Sequence, residues 1–135
     1  MLPFPTSDQY RQICSRTSKS AWPETDERIF HGAPTFWGGK KTFASFHENQ
    51  DGEGRIDVWI KSDVDTQEGL VEANPKLFFI PPYVGPSGWL GVRLDRHAAG
   101  RADNAADVWD ILARLLEDGF RAVAPKRALA QFDDD

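Results

Sequence analysis

Apolar and polar residues alternate through residues 55–61, where Ile56, Val58 and Ile60 interleave with Asp57, Trp59 and Lys61. A period of two places the three aliphatic side chains on one face of a strand and their neighbours on the other. Residues 89–94 repeat the pattern, with Leu90, Val92 and Leu94 on one face and Trp89, Gly91 and Arg93 opposite. Residues 77–80 form a short apolar run that reads as a strand and is broken by Pro81-Pro82. Three prolines and two glycines then make residues 81–88 an irregular but stiff loop. Upstream, residues 25–61 read as strands and turns. Gly38-Gly39 is a hairpin signal between Phe36-Trp37 and residues 42–47, and a second glycine-bearing turn spans 49–54.

Elsewhere the period lengthens to that of a helix. Tyr10, Ile13, Cys14, Thr17 and Ala21 recur at helical spacing, with Thr6, Ser7 or Asp8 as the N-cap and Pro23 as the stop. Asp63 or Asp65 can cap a short second helix that Asn74-Pro75 ends. The clearest stripe is Val108, Ile111, Leu112, Leu115, Leu116 and Val123, opened by Asp103 or Asn104 and limited by Pro125. The order helix, strands, helix, two strands, helix predicts an α+β fold. Its antiparallel sheet carries the helices on one face.

Length and composition narrow the class. The 135 residues suit one domain over 1–135, with an acidic, frayed tail at about 130–135. Hydrophobic residues at 40% and charged residues at 27% disfavour both a disordered chain and a membrane protein. The opening MLPFPTSDQYRQ lacks a basic stretch followed by an apolar one, so no secretory signal is expected. The single cysteine, Cys14, cannot close an internal disulfide and sits on an apolar stripe, which predicts a buried, inert thiol and a cytoplasmic protein. A formal net charge of −5 opposes broad polyanion binding, although Asp133, Asp134 and Asp135 supply three of those charges. The balance inverts locally. Residues 76–101 hold Lys76, Arg93, Arg96 and Arg101 against Asp95, and residues 119–132 hold Arg121, Lys126 and Arg127 with no acid.

Catalytic chemistry finds no pattern to rest on. His31, His47 and His97 lack a second ligand at zinc spacing, so no metal and no cofactor are expected. No nucleophile elbow or cysteine–histidine signature is present, and Glu24, Asp26 and Glu27 near His31 read as a solvated face. Gly38-Gly39-Lys40-Lys41 lacks the phosphate-loop pattern and reads as a hairpin tip carrying two lysines. The expectation is a protein that is not an enzyme. The aromatics say more: Trp59 and Trp89 share the non-aliphatic strand face with Arg93, and Trp37 and Tyr83 flank the region. Aromatic and basic residues on one sheet face can stack bases or hold a flat ligand, or simply pack beneath the proline-rich loop.

The blocks HGAPTFWGGKKTFASF (31–46), NPKLFFIPPYVGPSGWLGVRLD (74–95) and VAPKR (123–127) resemble the MmcQ/YjbR family of small bacterial proteins. The likeness spans most of residues 23–129, and PPYVGPSGW (81–89) is its most specific piece. It implies a compact α+β fold similar to secretion-chaperone-like domains, and the DNA-binding, double-wing label that members carry, with no catalytic residues. Two readings follow. In the first, Lys40, Lys41, Arg93, Lys126 and Arg127 meet DNA phosphates. In the second, Trp59, Tyr83, Trp89 and Arg93 form an aromatic cleft beneath loop 81–88 for a protein or small-molecule ligand. Both expect a monomer that does not engage a membrane.

Overall fold

The computed structural model describes residues 22–30, 32–48, 56–93 and 105–134. The helix expected before Pro23, the turn at 49–54 and the caps at Asp103 or Asn104 lie outside them, as do Cys14, His31 and His97. Four strands come first: β1 (Thr25–Phe30), β2 (Ala33–Gly38), β3 (Lys41–Glu48) and β4 (Ile56–Ile60). Helix α1 (Val64–Ala73), the short strand β5 (Phe78–Phe79) and strand β6 (Leu90–Arg93) follow, then helices α2 (Ala105–Val123) and α3 (Lys126–Asp134). The strands form one antiparallel sheet in the order β1-β2-β3-β4-β6-β5. The expected α+β architecture stands.

Register explains the two faces. Ala44 pairs with Ile60 and Ile60 with Leu90, while Phe46 pairs with Val58 and Val58 with Val92. All six side chains are buried, as the alternation through residues 55–61 and 89–94 requires. Between Phe36 and Trp37 the β2–β3 register slips, so Phe43 is an extra residue on β3. That bulge turns Phe43 into the core beside Ala44, where its ring meets Phe36 at 6.4 Å and Phe120 at 5.9 Å. Its carbonyl is not wasted, since it accepts from Lys61 N at 2.8 Å.

Helix α2 crosses this apolar face, burying Leu112, Leu115, Leu116 and Phe120. The approach is close at Gly119, where a Cβ would stand 3.1 Å from Ile60 Cγ2 and from the Lys61 carbonyl. Helix α1 begins as expected: Asp63 accepts from Thr66 N at 2.8 Å and from Thr66 Oγ1 at 2.9 Å. Asn74 closes it, donating its own N–H to Leu70 O at 2.9 Å, and Pro75 prevents continuation.

The C-terminal end departs from expectation. Residues 130–134 do not fray; they continue α3. Pro125 ends α2 but also opens the next helix, its carbonyl accepting from Ala128 N and Leu129 N. Ala128 is fully buried, and the Phe132 ring lies 5.9 Å from Trp22 and 5.6 Å from Phe120. Arg121 ties Asp133 at 2.9 Å and covers the Phe132 ring at 4.7 Å. Asp133 is thereby paired with a base twelve residues upstream, which the isolated run of aspartates could not reveal. Among the described residues no helix is long and apolar enough to cross a membrane.

Candidate functional site

The proposed phosphate-binding residues fall into two places. Gly39 turns the β2–β3 hairpin at φ 68° and donates to Glu24 O at 2.9 Å. A Cβ at Gly39 would stand 2.8 Å from Pro125 Cδ, so the hairpin tip touches the α2–α3 junction. Exposed Lys40 and Lys41 are thereby carried beside exposed Lys126 and Arg127. Arg127, however, is engaged: its Nε and Nη2 reach the two carboxylate oxygens of Glu24 at 2.7 and 2.6 Å. The hydrogen bonds from Arg127 hold the Glu24 carboxyl below its ordinary range, and Glu24 in turn raises the guanidinium. Glu24 itself sits at φ 58°, a left-handed conformation that a non-glycine residue adopts only when held.

Arg93 does not join this group. It pairs across strands with Asp57, which pairs with His47. From Lys41 to His47 is six steps along β3, about 20 Å at the strand rise. Arg93 therefore lies at the opposite end of the sheet, a correction to the five-residue basic set.

The aromatic cleft is likewise redistributed. Tyr83 is 94% exposed at φ 65°, projecting from a tight turn in which Val84 N donates to Pro82 O at 2.7 Å. Trp89, by contrast, is buried. Loop 81–88 is seated on the start of α1, where Gly88 passes so close that a Cβ would stand 2.9 Å from Ser62 O. Lys61 Nζ donates to Ser87 O at 3.0 Å. Buried Gln67 donates through Nε2 to Gly85 O at 2.8 Å and Trp89 O at 2.7 Å. Tyr83 and Trp89 do not line one cleft. Gln67 escaped the sequence reading, although it shares the inward stripe of α1 with Leu70 and Val71 and is the polar member of that stripe.

A polar and aromatic surface occupies the sheet face opposite α2. One cross-strand row runs Thr35, Ser45, Trp59, Gly91, Phe79, and the next runs His47, Asp57, Arg93. His47 stacks on Trp59 with ring centroids 3.7 Å apart, and its Nε2 lies 2.8 Å from Ser45 Oγ. Burial pushes the His47 imidazole down to about 4 from an ordinary 6.5, so it is neutral at pH 7. Arg28, paired with Asp26 at 3.1 Å, covers the Trp37 ring at 4.2 Å. Arg93 covers Phe79 at 5.2 Å and donates through Nη1 to Pro75 O at 3.2 Å. Three enclosed donors on this face, Trp37 Nε1, Trp59 Nε1 and Arg93 Nε, have no acceptor. Among the described residues no cluster of three histidine, cysteine or acidic side chains could hold a metal ion.

Comparison with known proteins agrees with this architecture. The crystal structure of Deinococcus radiodurans protein DR2400, assigned to the domain family DUF419, superposes with a TM-score of 0.64 at 20% identity. The match covers 98% of this chain and 91% of that one, and shows a shared fold. No curated protein matches the chain. The YjbR family model matches residues 20–122, from the segment before β1 to the last turn of α2. With three quarters of its length inside that match, the chain belongs to the YjbR family.

Proposed function

We propose that the protein is a non-enzymatic binding module that meets DNA phosphates at the hairpin end of the sheet, through Lys40, Lys41 and Lys126. The observation that carries this reading is the packing of Gly39 on Pro125, which gathers three exposed lysines from two distant segments. Arg93 is about 20 Å away and Arg127 is held by Glu24, so neither belongs to the contact set. Lysines on mobile stems suit phosphate as point charges and read no base sequence. Binding is therefore nonspecific and strongly salt-dependent, and the net charge of −5 opposes approach.

The test is a duplex-DNA titration by fluorescence anisotropy over a range of salt. Three phosphate contacts give a slope of log K against log salt of about −2.7, or roughly 40-fold weaker binding between 50 and 200 mM. Lys40→Ala, Lys41→Ala and Lys126→Ala each reduce that slope by about 0.9. Absence of duplex binding by the intact chain at 50 mM salt would overturn the reading, as would binding that the three substitutions leave unchanged.

A further inference from the structure

Among the described residues, β1 and β5 are the two edges of the sheet, and β1 is the longer at six residues. Asp26, Arg28 and Ile29 on β1 are exposed, Ile29 to 68%. Asp26 and Arg28 share the outer face, where Asp26 is paired with Trp37 across the strands and Arg28 covers the Trp37 ring at 4.2 Å. The Glu27 N–H donates to Asp26 Oδ1 at 2.9 Å and so does not point at β2. Alternation along the strand then turns the backbone groups of Thr25, Glu27 and Ile29 outward, and those of Asp26, Arg28 and Phe30 toward β2. An outward row of backbone donors and acceptors is a template for another strand.

We propose that β1 pairs antiparallel with β1 of a second copy of this chain, centred on Glu27, and joins the two sheets across a two-fold axis. That axis stands perpendicular to the joined sheet and keeps each residue on its own face, so only positions of equal parity can oppose each other. Centring on Asp26 or Arg28 sets that residue against itself on the narrow, non-hydrogen-bonded pair, where like charges repel most. Centring on Thr25 sets Asp26 against Glu24, and centring on Ile29 leaves only residues 28–30 overlapped within the strand. Centring on Glu27 instead sets each Asp26 against Arg28 of the second copy, on the narrow pairs. Each Thr25 meets Ile29 of the second copy through the outward backbone groups of both, and the β-branched contact covers the exposed isoleucine. The two glutamates fall on the wide, hydrogen-bonded pair, where like charge costs less. Asp26 already bridges Arg28 of its own strand at 3.1 Å, both side chains being half-exposed, so pairing builds an alternating cluster of carboxylates and guanidiniums. In forming it, the Asp26 carboxylate leaves the Glu27 N–H for the opposing guanidinium. That exchange and the short interface make the dimer a weak one.

Sedimentation equilibrium of the intact chain at pH 7, from about 10 μM to about 1 mM, covers the range of so small an interface. The chain passes reversibly from monomer to dimer, and the Thr25 and Ile29 amides gain hydrogen-exchange protection as concentration rises. Arg28→Asp sets acid against acid and Asp26→Arg sets base against base, and each weakens self-association about tenfold. Asp26→Arg also brings the net charge of −5 nearer zero, so bulk repulsion alone would strengthen association in that variant. Combining Asp26→Arg with Arg28→Asp restores opposite charges on the narrow pairs and returns the affinity to within about threefold of the intact chain. A monomer at every concentration overturns the proposal. Self-association that either single substitution leaves unchanged, or that the double exchange fails to recover, overturns it too. Lys40, Lys41 and Lys126 are untouched in every variant, so the outcome is independent of DNA binding.

Discussion

Replacing Gln67 by leucine tests whether the loop at residues 81–88 is held by a single buried amide. The side chain is 3% exposed, and its Nε2 hydrogens are divided between Gly85 O at 2.8 Å and Trp89 O at 2.7 Å. Leucine preserves most of the volume and removes both donors. Gly85 O keeps the Gly88 N–H at 2.9 Å, so Trp89 O is the carbonyl left without its donor, at about 1–3 kcal/mol. The expected loss is about 1–3 kcal/mol, a large share of the total stability of a domain this size. With an unfolding entropy that scales with chain length, that lowers Tm by roughly 4–11 °C. Urea unfolding followed by tryptophan fluorescence at pH 7 measures it, with an unchanged m-value confirming a pure stability effect. Gln67→Glu adds a second signature. Its carboxyl would face two carbonyl oxygens in a buried site, raising its folded pKa, so that variant loses stability further as pH rises through the unfolded carboxylate range. A Gln67→Leu loss below about 0.5 kcal/mol, the scale of surface substitutions, would refute the staple.

Leu112→Ala and Leu115→Ala each remove a buried side chain from the α2–sheet interface and are expected to cost about 2–5 kcal/mol in the same urea assay. His47 makes stability depend on pH: its folded pKa, about 4, lies below the unfolded 6.5, so the unfolded chain binds more protons between them. Stability attributable to His47 is complete above pH 6.5 and falls as pH drops toward 4, by up to about 3 kcal/mol, and His47→Gln flattens that part of the profile. Glu24→Gln frees Arg127 to act as a fourth phosphate contact, steepening the salt slope of duplex binding from about −2.7 to about −3.6; an unchanged slope would place Arg127 outside the DNA path.

Much of the scaffold was legible in one dimension because it rests on local physics. The alternation of Val58, Ile60, Leu90 and Val92, the Asp63 cap, the Asn74-Pro75 stop and the stripe of Leu112, Leu115 and Leu116 are each decided by neighbours within a turn or a pleat. The blocks at 31–46 and 74–95 likewise carried the family. What the chain alone could not show depends on contacts between distant segments. The Phe43 bulge exists because Lys61 and Phe120 meet it from other elements, and α3 forms because Phe132 finds Trp22 and Phe120. The same holds for the candidate sites. Charge could be counted along the sequence, but only the Glu24 to Arg127 pair, 103 residues apart, decides that Arg127 is engaged. Strand register, in turn, put Arg93 beside Asp57 at the far end of the sheet. Period-two alternation identified the face of Trp59 and Arg93, yet it could not say that Gly91 would become the floor for Phe79. That outcome requires β5 to lie against β6, a pairing fixed by the folded sheet and by nothing within either strand.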